Sequence, residues 1–225
     1  EDGIRDYKVT GVQTCALPIC TYGITGGTGS STITKVGTYG TLVLDAAAGT
    51  WTYTPNATAI NAATGTPSDT FTITVTEDAA PSVSASGSLT FPITGANDTP
   101  TLATPATAAY TDTTANDTFS NATGTLSGTD RDTGQTLTYG IQGVTSAGST
   151  VSSTNAYGTL TVTKATGAYT FAPSQSGING VAADTTATFT VTTSDGSATT
   201  TATFTVERSE EHTSELQSPC NLVCR

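Results

Sequence analysis

The chain has 225 residues and a formal net charge of −11, from seven basic and eighteen acidic side chains. Such an excess of negative charge repels the phosphate backbone of nucleic acids and anionic membrane surfaces, so neither is expected as a partner. No stretch approaches the roughly 20 apolar residues of a membrane-spanning helix, so no membrane insertion is expected.

The two ends encode each other. Asp2–Ile19 back-translates to a DNA whose reverse complement, in another frame, reads Arg208-Ser209-Glu210-Glu211-His212-Thr213-Ser214-Glu215-Leu216-Gln217-Ser218 and continues to Arg225. One short tag, TACAAG, supplies both Tyr7-Lys8 and Pro219-Cys220-Asn221. Natural termini have no reason to be complementary. Residues 1–20 and 208–225 therefore read as translated sequencing-library adapter around a fragment of a longer protein, and no native structure is expected of them. Their exclusion removes Cys15, Cys20, Cys220 and Cys224, and with them any cysteine metal site or disulfide, and also His212, the one histidine. The remaining segment, about 21–207, holds three basic residues (Lys35, Arg131, Lys164) against twelve acidic ones, a net of −9.

That segment repeats itself. Tyr39-Gly40-Thr41-Leu42 matches Tyr157-Gly158-Thr159-Leu160; Gly49-Thr50-Trp51-Thr52-Tyr53 matches Gly167-Ala168-Tyr169-Thr170-Phe171; Phe71-Thr72-Ile73 matches Phe189-Thr190-Val191. The offset is 118 residues in every block, which marks tandem copies of one domain-sized unit. In the first copy, residues 21–97, Phe71, Ile73 and Val75 alternate with threonines, as do Leu89, Phe91 and Ile93 with their neighbours. That period of two is a strand with one apolar face. Ala57–Ala63 has room for one turn of helix. This copy reaches its Tyr-Gly-Thr-Leu block early, so it is expected to lack its first two strands and to have exposed edges.

The second copy, residues 98–207, is expected to carry seven strands, near 101–110, 118–128, 137–141, 158–163, 168–172, 187–193 and 199–207. Short strands at this spacing predict an all-β fold: tandem Ig-like or cadherin-like antiparallel sandwiches, the first truncated. Tyr169 and Phe171 are expected to face opposite sides of their strand, so that one of them enters the core, and likewise Trp51 and Tyr53. Packing is the expected role of all four.

The carboxylates fall in loops. Asn97-Asp98-Thr99-Pro100 joins the copies, Asp130-Arg131-Asp132-Thr133-Gly134 follows the second strand, and Ser194-Asp195-Gly196 joins the last two strands. In a sandwich of this topology these loops open where the chain enters the domain, so Asp98, Asp130, Asp132 and Asp195 should converge. Such carboxylates repel one another unless a cation lies between them. Without His or Cys, zinc and copper do not fit. Calcium, which takes six to eight oxygens with loose geometry, does, with Asn97 or backbone oxygens completing the shell. Asp195 in an Asp-Gly turn has its own structural explanation, since such a side chain bonds its own backbone.

Asp130-x-Asp132-x-Gly134, Leu137-Thr138-Tyr139, Tyr157-Gly158-Thr159-Leu160, Gly167-Ala168-Tyr169-Thr170-Phe171, Ser194-Asp195-Gly196 and the junction Gly95-Ala96-Asn97-Asp98-Thr99-Pro100 together resemble the VCBS/cadherin-like repeats of large bacterial surface and RTX-type adhesins. The resemblance implies a calcium-stiffened spacer on the cell surface or secreted. Neighbouring repeats of the same long chain would be its partners, with host-surface or matrix glycans or proteins beyond them. It departs from the pattern where Glu77-Asp78-Ala79 replaces the usual Asp-Gly, and the first copy has no Asp-x-Asp loop. A carbohydrate- or protein-binding accessory sandwich of a secreted hydrolase is the alternative, through Trp51 or Tyr53. Catalysis is not expected, because no carboxylate pair has an acid–base environment and no imidazole or thiol remains. The sequons at Asn56 and Asn121 read as chance matches in threonine-rich sequence.

Overall fold

A computed structural model describes residues 20–78 and 81–210. The chain divides into two compact units, one ending at Ala96 and the other beginning at Asn97. The tails 1–19 and 211–225, with Cys15, Cys220, Cys224 and His212, lie outside the described residues.

The fold is all-β, as the alternation predicts. Unit 1 contains β1 (Cys20–Ile24), β2 (Thr32–Val36), β3 (Gly40–Asp45), β4 (Trp51–Pro55), α1 (Ala57–Asn61), β5 (Ser68–Glu77) and β6 (Ser84–Pro92). They form two antiparallel three-stranded sheets, β1-β5-β6 and β2-β3-β4. Ile24, Leu42, Leu44 and Phe71 are the buried centre of this unit. Leu42 and Leu44 come from one sheet, Ile24 and Phe71 from the other, which is the arrangement of a sandwich.

Unit 2 contains β7 (Thr101–Leu102), β8 (Ala108–Asp112), β9 (Ala122–Thr125), β10 (Gly128–Thr129), β11 (Thr138–Ile141), β12 (Thr150–Asn155), β13 (Gly158–Thr163), β14 (Ala168–Pro173), α2 (Gln175–Asn179), β15 (Thr185–Ser194) and β16 (Thr199–Glu210). The sheets β11-β15-β16-β8 and β12-β13-β14-β9 face each other, and β7 pairs with β10 beside them. All pairings are antiparallel except β8 with β16. Leu160, Val162 and Phe171 from one sheet meet Val191, Phe204 and Val206 from the other, each at most 1% exposed. Burying one such side chain contributes about 1.5–3 kcal/mol. Threonines line the outer faces in cross-strand pairs, such as Thr154 with Thr159 at 2.8 Å.

Four expectations need correction. Each of the first two strands expected in unit 2 is a pair of short strands, because Pro105 interrupts one and the chain leaves its sheet after Thr125 in the other. β12, with Val151 as its single large apolar residue, was not expected. Tyr169 and Phe171 both enter the core, at 7% and 0% exposure, because residues two apart in a strand share a face. The domain also does not stop at Glu207. β15 offers partners as far as Thr185, so β16 continues to pair Arg208 with it, and Arg208–Glu210 pair with Tyr110–Asp112 of β8. Cys20 likewise lies within β1, with no disulfide partner among the described residues.

The relation between units is a near-complete subset. β1–β6 with α1 correspond to β11–β16 with α2; among the described residues unit 1 has no counterparts of β7–β10.

Candidate metal centre

The site is built where the chain enters unit 2. Pro100 is fully buried, and its carbonyl accepts from Thr200 Oγ1 at 2.5 Å. Thr101 then pairs with Thr129, so β7 brings the β10–β11 loop alongside residues 97–100. Gly134 ends that loop's turn at φ +81°, a backbone region that suits glycine.

Within the loop, Asp130 Oδ1 accepts from the Asp132 amide at 2.8 Å. Asp132 is 5% exposed, and its Oδ2 accepts from the Asp98 amide at 2.7 Å. On the other flank Asp195 Oδ2 accepts from Asn97 Nδ2 at 2.8 Å, and the same Nδ2 donates to the Asp98 carbonyl at 2.9 Å. Asp195 Oδ1 accepts from the Ser197 and Ala198 amides at 2.6 and 2.7 Å. The Ala198 amide, then the Asn97 side chain and the Ser197 amide, hold the Asp195 carboxyl below the usual aspartate range.

Asn97, Asp98, Asp130, Asp132 and Asp195 thus stand at one pole of unit 2, linked through residues 97 and 98. They are not equivalent. Asp195 is satisfied on both oxygens, and Asn97 is engaged with it. Asp130 Oδ2 and Asp132 Oδ1 are buried and have no hydrogen-bond partner among the described residues. Among the described residues Arg131, between them in sequence, forms no ion pair, and the ion pairs belong to Arg208. At the same pole lies a cavity of about 380 Å³ lined by Asp98, Thr99, Thr101, Thr129, Asp130 and Arg131; Asp132 is not part of its wall. An unpaired buried carboxylate oxygen is expensive, because burial removes its water. The donor set is all oxygen, which fits a hard cation such as calcium and does not fit a soft metal. Among the described residues, however, no three carboxylates, histidines or cysteines stand close enough to enclose a metal ion together. An ion at this pole would draw on the two free oxygens and on backbone or water oxygens.

Other buried polar groups escaped the sequence reading. Asp69 in unit 1, 5% exposed, accepts from the Thr38 and Tyr39 amides at 2.8 and 2.9 Å and from the Tyr53 hydroxyl at 2.8 Å. Desolvation first, then the hydrogen bond to Asp69, pushes the Tyr53 hydroxyl up to about 12. In unit 2, Arg208 is ion-paired with Asp112 and Glu210 and donates to the Ile178 and Ala183 carbonyls at 3.3 and 2.8 Å. The period of two carried the signal: Asp69 shares a face with Phe71, and Arg208 with Phe204 and Val206.

Among the described residues no helix is long and apolar enough to cross a membrane. No family model and no curated protein matches the chain. Solved structures that resemble it are cadherin domains. Protocadherin Gamma B2 extracellular cadherin domains 3-6 align at 14% identity and TM-score 0.42, over 85% of this chain and 44% of that one. Human CDH23 EC21-23 aligns at 16% identity and TM-score 0.39, over 90% of this chain and 66% of the other. Mouse Cadherin-23 EC22-24 aligns at 12% identity and TM-score 0.37, over 84% and 54%. The chain spans less than half the length of the first of these.

Proposed function

We propose that this chain is a structural and adhesive spacer module from a secreted bacterial surface protein, of the VCBS/cadherin-like kind, and that calcium stiffens it where one repeat follows another. The observation that supports this most is the pair of buried oxygens without a hydrogen-bond partner among the described residues, Asp130 Oδ2 and Asp132 Oδ1, the first of them on a residue that lines a cavity together with Asp98. Asp130 and Asp132 supply the free ligands. Asp98 adds its carboxylate from the cavity wall, and Asn97 and Asp195 hold the entering chain in place. Binding neutralises the carboxylates and fixes residues 97–100, the first of unit 2. Partners are neighbouring repeats, with host-surface or matrix glycans or proteins at the far end of the parent chain. The role is mechanical rather than catalytic.

Extracellular calcium modules bind at about 0.1–1 mM. Calorimetric titration of the whole chain is expected to show calcium in that range, and Asp130→Asn/Asp132→Asn to abolish it. Absence of heat and of any thermal shift at 10 times the upper value would leave these aspartates as turn residues only. We further infer that the tails 1–20 and 208–225 derive from adapter sequence. On that reading the docking of Arg208 is a property of the encoded residue and not of the parent gene, and sequencing the source DNA across both junctions decides it.

The alternative is a carbohydrate- or protein-binding accessory sandwich. One observation favours it: Trp51 is 49% exposed on β4, with its ring edge-on to Phe91 at 5.4 Å. Glycan binding that survives chelator would support it over the calcium spacer.

A further inference from the structure

The cavity at the entry pole of unit 2 has a wall of one chemical kind. Its six lining residues are Asp98, Thr99, Thr101, Thr129, Asp130 and Arg131, with no aliphatic or aromatic side chain among them. An apolar ligand finds no matching surface there. A phosphate or sulfate would meet two carboxylates. Its volume of about 380 Å³ stands at the small end of ligand sites, which run from roughly 300 to 1,000 Å³, so it suits a ligand of about one ring.

Part of the wall is fixed by strand pairing. Thr101 and Thr129 are register partners of β7 and β10, and their hydroxyls bond each other at 2.6 Å. Pro100, just before Thr101, is fully buried. The remaining wall carries opposite charges that do not meet. Asp98 is half-buried and reaches Asp132 through its backbone amide, not its carboxylate. Arg131 is exposed, and among the described residues neither it nor Asp98 belongs to an ion pair. Asp130 spends one oxygen on the Asp132 amide and its other is buried, so it lends negative charge rather than a reachable acceptor.

A ligand that bridges Asp98 and Arg131 must donate to the first and accept from the second. A guanidinium is a planar fork that matches two adjacent oxygens. Two neighbouring hydroxyls meet both demands, because each donates one hydrogen bond and accepts others. We propose that this cavity binds one ring of a neutral glycan through vicinal hydroxyls, which donate to the Asp98 carboxylate and accept from the Arg131 fork, with the threonine hydroxyls around them. The site is made by unit 2 alone and stands apart from the calcium reading, since an ion on one Asp98 oxygen leaves the other. It gives the spacer an adhesive contact of its own.

Titration of the whole chain with methyl α-mannopyranoside, followed by saturation-transfer NMR of the sugar, is expected to show saturable binding in the millimolar range. Arg131→Ala and Asp98→Asn are each expected to weaken it at least about ten-fold. Neither change removes an ion pair, and the Asp98 amide is kept, so the fold is not in question. The fully O-methylated sugar, which has no hydroxyl to donate, is expected not to bind. Trp51 is the one tryptophan of the chain and lies in unit 1, so its emission should not respond to the sugar. No saturable signal, equal binding by Arg131→Ala, or equal binding of the O-methylated sugar overturns the proposal. So does a saturable change in Trp51 emission, which would place the sugar on β4. Calorimetric calcium titration of the same sample tests the calcium reading separately, so that either can fail alone.

Discussion

Asp132→Asn separates a ligand from a turn residue, because its effect should change sign with calcium. In the wild type, Asp132 Oδ2 takes the Asp98 amide and Oδ1 is buried without a partner. Asparagine keeps the first bond through its carbonyl. Its amide places a donor where the carboxylate has an unpartnered acceptor, in the same loop as the unpartnered Asp130 Oδ2. In chelator the variant should therefore match the wild type or exceed it by up to ~1 kcal/mol, the low end of the penalty for a buried unsatisfied group. In calcium at ten times the dissociation constant, linkage stabilises the wild type by about 1.4 kcal/mol. For a unit of ~110 residues, an unfolding entropy of roughly 2.1 cal/mol/K per residue converts this to a rise of ~6 °C. The variant should rise by less than ~1 °C on the same scale. Differential scanning calorimetry of the whole chain with calcium and with chelator gives both numbers. The Trp51 emission marks the unit 1 transition, so the remaining one belongs to unit 2. An Asp132→Asn shift of the same sign and size in both buffers would refute the ligand role.

Three further expectations rest on other hydrogen-bonded polar groups. Arg208→Met strands Asp112 at 5% exposure without its partner, and urea unfolding of unit 2 should show a loss of about 3–5 kcal/mol; a loss below ~1 kcal/mol would mean the strand extension carries no stability. Tyr53→Phe should cost unit 1 about 1.5 kcal/mol and Asp69→Ala about 2–3 kcal/mol, yet the double variant should cost less than their sum, because unit 2 holds Phe171 and Ala187 at the matching positions; strict additivity in a double-mutant cycle would disprove the coupling. Titration gives two windows. Tyr53 has its folded pKa raised to about 12, so its contribution is complete below about 10 and is lost as pH rises from there through 12, a loss Tyr53→Phe should not show. Asp45, Asp117 and Asp195 are held low chiefly by backbone amides, so their contribution is present above about pH 4 and is lost as pH falls below it; a melting temperature flat down to pH 2 would contradict this.

The sheets were legible where one face is apolar at period two. β5 and β15 carry Phe71-x-Ile73-x-Val75 and Phe189-x-Val191, and the 118-residue offset ties β3 to β13 and β4 to β14. β12 was not legible, since a strand with only Val151 facing the core carries no alternation, although β2, one repeat earlier, carries Ile33 at the position that pairs with Leu44. α2 escaped because one turn of helix has too few residues for a period; its signals are the Ser174 cap, which accepts from the Gly177 amide at 3.1 Å, and the buried Ile178. The expected boundary at Glu207 rested on reading the following codons as adapter, whereas strand pairing depends on backbone and on available edge, and β8 and β15 both offer partners to residue 208 and β8 to 209 and 210.

The acidic pole was legible as a place but not as a set of roles. Hydrogen bonds through residues 97 and 98 link the aspartate-bearing loops at one end of unit 2, yet among the described residues no three carboxylates stand close enough to enclose an ion together. The Asp-Gly pair already marked Asp195 as a turn residue; what the sequence could not show is which oxygens of Asp130 and Asp132 stay unpaired, and this turns on where nearby amides point. Gly196, at φ +95°, turns the chain so that the Ser197 and Ala198 amides both reach Asp195 Oδ1, while Asn97 takes Oδ2. The Asp130–Gly134 loop delivers its glycine two residues after Asp132, too late for the same turn. Asp132's amide reaches one oxygen of Asp130, Asp98's amide reaches one oxygen of Asp132, and one oxygen on each is left over. The Asp-Gly turn here consumes its carboxylate; the Asp-x-Asp-x-Gly loop leaves two oxygens without a partner among the described residues. That difference in spacing is why the burden of any bound cation falls on Asp130 and Asp132 rather than being shared evenly around the pole.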